Sequence, residues 1–168
     1  MALLLERERL RSVALLFLGG ALLVSDRLGK QLAVRLLLRG ERFSYEAVLG
    51  PVGFVPSLNR VLAFSLPVPN VWIWPVGLMV LLVLTWRAVR ERGAVRWGMA
   101  FVLMGAASNL LDRVTRGGVV DYLSFTNFFP AFNIADLCVL GGVIVWCVAS
   151  LSARGVQASV TRGTSTCP

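Results

Sequence analysis

The chain has 168 residues, 57% of them hydrophobic and 15% charged, and its net charge of +8 rests on 16 Arg and a single Lys. That length suits one domain and that hydrophobicity exceeds an ordinary soluble fold, so residues 1–168 read as a single integral membrane domain. Histidine is absent, which excludes a Ser-His-Asp triad, an HExxH zinc site and any histidine general base.

The basic residues flank apolar runs, a pattern that fits anionic lipid headgroups rather than nucleic acid. Cys138, Cys147 and Cys167 are odd in number and lack CxxC spacing, so neither a disulfide framework nor a metal site is expected. No cofactor is called for.

Four long uncharged runs divide the chain: 14 residues over 12–25, 26 over 61–86, 15 over 97–111 and 17 over 137–153. A spanning helix needs about 20 apolar residues, so the shorter runs continue past their bounding polar residues. The predicted architecture is an all-α polytopic membrane protein with spans at about 12–31, 70–88, 96–113 and 133–152. The first stretch lacks a small-residue cleavage site before Asp26 and reads as a retained helix.

After the first span, "KQLAVRLLLRGERF" alternates Arg with Leu and predicts a short interfacial amphipathic helix. "FSYEAVLGPVGFVPSLN" then combines Gly50, Pro51, Gly53 and Pro56 with β-branched and aromatic residues, which predicts short strands and turns. Pro67, Pro69 and Pro75 place the start of the second helix near Asn70. Between spans two and three, "RAVRERGAVR" holds Arg87, Arg90, Arg92 and Arg96. The positive-inside rule assigns this loop, and with it both termini, to the cytoplasm. The tail over 154–168 is rich in Ser, Thr and Gly and reads as disordered.

With that orientation, every Asp falls on the extracytoplasmic side. Asp26 with Lys30, Asn59, Asn109 with Asp112 and Arg113, and Asn133 with Asp136 mark span ends, and Asp121 lies in the last loop. Ionisable residues at such positions are functional suspects by default. Gly105, Asn109 and Arg113 recur at i, i+4, i+8 on one face of span three, as do Asn133 and Asp136 on span four. Asp112 points elsewhere and reads as structural, whereas Asp26 and Lys30 are spaced for an ion pair across one turn. No Ser-x-x-Lys precedes the only lysine, so a Ser-Lys hydrolase is disfavoured. Two carboxylates in a low-dielectric pocket cannot easily both ionise, and such a pair activates water as base while donating a proton as acid.

The motifs "DRLGK", "NRVLAFSL", "GAASNLLDR", "GGVVDYLSF" and "PAFNIAD", in this order, resemble the signal peptidase II family, the bacterial lipoprotein signal peptidases. The resemblance implies an intramembrane aspartic endopeptidase that removes the signal peptide from diacylglyceryl-modified prolipoproteins, cutting just before the lipidated cysteine. It implies Asp121 and Asp136 as the catalytic pair, with Asp26, Lys30, Asn59, Asn109, Arg113 and Asn133 lining the site and no metal. It further implies a small extracytoplasmic β-containing cradle between helices 1 and 2, within about 32–69, flanked by the loop near 122–131. Expected partners are prolipoprotein substrates and membrane lipids, for a monomer in the bacterial inner membrane. Val61, where the family usually has glycine, and the short stretch between Asp121 and Asp136 depart from the pattern. A small proton or cation carrier and a non-catalytic lipid-binding or assembly subunit are the alternatives. Crowding of the acids at one face argues against the carrier.

Overall fold

A computed structural model describes residues 2–39, 52–60, 70–125 and 130–164. Helix α1 (Ala2–Leu38) is followed by strand β1 (Val52–Asn59), helices α2 (Asn70–Ala88) and α3 (Gly93–Arg116), strand β2 (Val119–Phe125) and helix α4 (Ile134–Thr164). The protein is therefore mostly helical with a small sheet. Three helical stretches are long and apolar enough to cross a membrane: Arg9–Leu38, Gly93–Arg116 and Ile134–Ala153.

The distribution of side chains is that of a protein dissolved in lipid. Phe17, Leu16, Trp72, Leu82, Leu140 and Leu151 are exposed, a belt that water would not tolerate but acyl chains cover. Among the described residues, the largest fully buried side chains are Lys30, Met99, Val120, Asn133, Asp26 and Asp112. Four of these six are polar, so the interior is organised by hydrogen bonds and charge.

Helices α3 and α4 pack closely through glycine. A Cβ on Gly98 would lie 2.6 Å from Trp146 N and 2.8 Å from Gly142 O, and one on Gly142 would lie 2.6 Å from Gly98 O. Backbone atoms cannot retreat as side chains do, so this contact requires glycine on both sides, as membrane helix interfaces often do. Gly105 similarly abuts the Ala135 carbonyl and Val139, which makes it a packing residue. Gly117 ends α3 in the left-handed region, φ 71°, its N–H donating to Arg113 O at 3.1 Å.

Three expectations are corrected. α1 does not stop near 31 before a separate interfacial helix. It continues to Leu38 because Ala33 is buried in a cluster with Val120 and Tyr122, flanked by Val34, Phe54, Leu58 and Ile134. Asp121 lies on strand β2 rather than in a loop, because β1 supplies antiparallel partners from Val52↔Phe125 to Asn59↔Val119. The sheet thus joins two connections, α1–α2 and α3–α4, instead of forming within 32–69 alone. Lastly, α4 runs on to Thr164, through most of the segment read as a disordered tail. Residues 40–51, Val61 and 126–129 lie outside the described residues.

The sheet has one irregularity, between Phe54 and Ser57. Val55 and Pro56 together oppose Tyr122, a bulge at the position where proline has no N–H to contribute to the ladder. The register resumes with Ser57 opposite Asp121, so the bulge adjoins the carboxylate.

Candidate active site

Asn133 and Asp136 form a reciprocal cap at the start of α4. The Asp136 N–H donates to Asn133 Oδ1 at 2.9 Å, and the Asn133 N–H donates to Asp136 Oδ2 at 3.1 Å. This is the capping-box arrangement, with Asn at the N-cap and Asp three residues on. Because Asn133 Oδ1 is engaged by a backbone donor, its amide nitrogen must face the other way. It donates to Asp121 Oδ1 at 2.8 Å. One buried asparagine therefore binds both carboxylates, and the 15-residue separation in sequence closes into a single hydrogen-bonded unit.

Each carboxylate has a second amide donor. Asn59, at the end of β1, donates to Asp121 Oδ2 at 3.1 Å. Asn109, on α3, donates to Asp136 Oδ1 at 2.7 Å. Arg113 follows Asn109 by one turn and is close enough to feel the charges of both Asp121 and Asp136. Asp121 is 3% exposed. Burial pushes its carboxyl up from 3.8 to about 6; the Asn59 hydrogen bond opposes the rise, the neighbouring Asp136 charge adds to it, and Asn133 and Lys30 oppose it again.

A second cluster stands behind the first. Lys30 Nζ lies 3.0 Å from Asp26 Oδ2, the ion pair its spacing predicts, and 2.8 Å from Asp112 Oδ2. It also donates to Ser108 Oγ at 3.2 Å and to Asn109 Oδ1 at 2.8 Å. Asp26 accepts from Ser108 Oγ at 2.6 Å and from the Ala135 N–H at 3.1 Å. Arg27 reaches Asp112 at 3.1 Å, and Arg116 pairs with the same oxygen. Tyr122 donates to Asp26 at 3.3 Å, and its hydroxyl is pushed well above its usual range, chiefly by burial. Gly29 makes room for this ring: a Cβ there would lie 2.5 Å from Tyr122 Cζ.

All eight residues predicted to form the site, Asp121, Asp136, Asp26, Lys30, Asn59, Asn109, Arg113 and Asn133, converge at the junction of the sheet with α1, α3 and α4. Ser108, Tyr122, Arg27 and Arg116 were not predicted, and Asp112, read from the sequence as structural, lies among them, paired with Lys30, Arg27 and Arg116. The signal for Ser108 and Asp112 was their i, i+4 spacing with Arg116, on the α3 face adjoining that of Asn109. A groove of about 600 Å³ between α1 and α3, lined by Leu23, Val24, Leu28, Leu103 and Met104 among others, includes neither Asp121 nor Asp136.

Fold and site together define a helical membrane protein with a paired-carboxylate centre. The signal peptidase (SPase) II family model matches residues 18–152. The chain is 34% identical over 155 residues to a lipoprotein signal peptidase of Mycolicibacterium smegmatis, covering 86% of this chain and 63% of that one. It is 34% identical over 141 residues to a lipoprotein signal peptidase of Enterococcus faecalis, covering 80% of this chain and 86% of that one. A solved bacterial membrane enzyme superposes with a TM-score of 0.70 at 21% identity, over 83% of this chain and 88% of that one. The chain belongs to the signal peptidase II family.

Proposed function

We propose that the protein is an aspartic endopeptidase of the bacterial inner membrane that removes signal peptides from diacylglyceryl-modified prolipoproteins, with Asp121 and Asp136 as its catalytic pair. The observation that supports this reading is Asn133, one residue that binds both carboxylates, Asp121 through its side-chain amide and Asp136 through its backbone N–H. The pair shares one proton. The ionised member takes a proton from water as the water oxygen bonds to the peptide carbonyl carbon, and the protonated member gives its proton to the carbonyl oxygen. The C–N bond of the resulting diol then breaks. The nitrogen leaves with the proton that the base took from water, and a diol hydroxyl returns its proton to the other carboxylate, giving the signal peptide's new carboxyl group, the free amino group of the lipid-bearing cysteine and a pair that again holds one proton. Asn59 and Arg113 hold the substrate backbone and the developing oxyanion; Asp26, Lys30, Asn109 and Asn133 hold the pair.

The same reading makes residues 1–168 one membrane domain with four spans, α2 being the fourth. Its 19 residues extend about 28 Å, close to the ~30 Å of a hydrocarbon core. Arg90 stacks on Trp86 at 3.8 Å beside the α2–α3 turn, an anchor suited to the cytoplasmic interface. The site lies at the far end of α3, near the extracytoplasmic face, where a monomer takes lipid and signal helix laterally and the sheet cradles the substrate.

The test is cleavage of a diacylglyceryl-modified prolipoprotein by the purified protein, beside an unlipidated control and the Asp121→Asn and Asp136→Asn variants. Cleavage before the cysteine that needs the lipid and vanishes in both variants is expected. Normal turnover by either variant removes that residue from the pair. Asp-dependent ion flux without cleavage would mark a carrier instead.

A further inference from the structure

Lys30 is fully buried, and a buried ammonium needs a reason beyond stability, since a well-packed apolar side chain commonly serves a core at least as well. Its charge is more than matched: Asp26 and Asp112 both lie within 3.0 Å. Asp112 in turn binds Arg27 and Arg116, whose side chains are 30% exposed. What this arrangement does that a hydrocarbon could not is found at Asn109. An ammonium only donates, so the amide of Asn109 must turn its oxygen to Lys30 and its nitrogen to Asp136. Replace Lys30 with an apolar group and that amide loses the donor that holds its oxygen, leaving only Asp136, which can itself donate once protonated, to orient it.

We propose that Lys30 is a positioning residue for the carboxylate pair: through Asn109 it aims a fixed N–H at Asp136, and Asp112 sets how much of the Lys30 charge the pair feels. The proposal rests on the peptidase reading for its effect on turnover, but not for its effect on titration. The charged and titratable groups facing the pair are Lys30 and Asp26 from α1, Arg113 from α3 and Tyr122 from β2. Of these, Lys30 contacts an amide that itself contacts the pair. Removing its positive charge makes Asp121 hold its proton to higher pH. Removing the Asp112 charge leaves Lys30 less neutralised and makes Asp121 release its proton at lower pH. Two residues in direct contact thus move one titration in opposite directions, which loosened packing would not do.

The experiment uses the full-length protein in detergent, with Lys30→Met, Lys30→Gln, Asp112→Asn and the Lys30→Met/Asp112→Asn double variant. The carboxyl C=O stretch is titrated by infrared difference spectroscopy without substrate, and the Asp121 band is identified by its loss in Asp121→Asn. The band's midpoint is expected to rise by about half a unit or more in Lys30→Met and Lys30→Gln and to fall in Asp112→Asn. On diacylglyceryl-modified prolipoprotein, Lys30→Met is expected to lower kcat by about 10- to 100-fold with KM changed less than about twofold. Lys30→Gln, which keeps a donor, retains more of kcat than Lys30→Met. Midpoints that stay put or move the same way in the Lys30 and Asp112 variants overturn the proposal, as does a raised KM at unchanged kcat. If Lys30→Met does not fold, the double variant, which removes one charge of each sign, replaces it. A low kcat with the wild-type midpoint is then expected, and a wild-type kcat overturns the proposal. Opposed midpoint shifts in a wild-type protein that cleaves nothing would uphold the positioning and reject the peptidase reading.

Discussion

Two groups of carboxylates lie at adjoining positions of this molecule and are held by different means. Asp26 and Asp112 are held by cations: Lys30 bridges them at 3.0 and 2.8 Å, and Arg27 and Arg116 close on Asp112 from outside. Asp121 and Asp136 are held by amides, with Asn133 binding the first through its side chain and the second through its backbone N–H, Asn59 adding to the first and Asn109 to the second. A carboxylate set against an ammonium in a low-dielectric interior leaves an uncompensated buried charge when either partner is removed. A carboxylate held by neutral donors beside a second carboxylate is fixed in place but left able to take up a proton. This end of the bundle therefore holds its aspartates in two ways, one cluster by cations and the other by amides.

The largest expected effect tests that separation directly. Asp121→Asn and Asp136→Asn should each lower kcat by on the order of 10³-fold or more, while thermal melts in detergent stay close to wild type, because Asn preserves shape and some hydrogen bonding. A large loss of melting temperature in those variants would break the contrast. Asp26→Asn should do the reverse. It leaves Lys30 with one carboxylate in place of two, at about 3 kcal/mol of stability, read as a lower melting temperature that exceeds any shift in the pair's variants.

The contrast also sets a pH dependence. The Asp121 carboxyl titrates at about 6 against an ordinary 3.8, so the folded protein binds more protons than the unfolded chain between those values. Stability from this group is complete below about pH 4 and is lost as pH rises through about 6, by roughly 2–3 kcal/mol. Melting temperature should fall between about pH 5 and about pH 7.5 in the wild type, and Asp121→Asn should flatten that slope. An unchanged slope would move the titrating group elsewhere.

Much of the site was legible because membrane burial makes polar residues conspicuous. In a chain that is 57% hydrophobic, Asp26, Asn109, Asn133 and Asp136 at span ends stand out by type alone, and their family motifs arrive in order. What was not legible depended on partners distant in sequence. Asp121 could not be seen as a strand residue without β1, since a seven-residue segment gains its ladder only from a neighbour. α1 could not be seen to run to Leu38, because Ala33 is buried by Val120 and Tyr122, about 90 residues away. Asp112 was read as structural from its direction on α3, and its link to Lys30 required knowing that α1 packs on that face. Its local neighbours showed charge and spacing; they did not show which helix would supply the cation.

The smallest expected effect lies where the two groups touch. Tyr122 adjoins Asp121 in β2 and donates its hydroxyl to Asp26 at 3.3 Å, while accepting from the Ile134 N–H at 3.4 Å. Both contacts are long for a hydroxyl, so neither is strong. Its ring is secured separately, over Gly29 and 5.6 Å from the Phe54 ring. Tyr122→Phe keeps the ring and removes only the hydroxyl, so it should cost about 1 kcal/mol or less and leave kcat within about twofold. Asp26 retains Lys30, Ser108 and the Ala135 N–H, which is why the loss is small. A much larger fall in kcat, with the melting temperature unchanged, would mean that the hydroxyl couples the cation-held cluster to the amide-held pair, and the division between them would have to be redrawn through Tyr122.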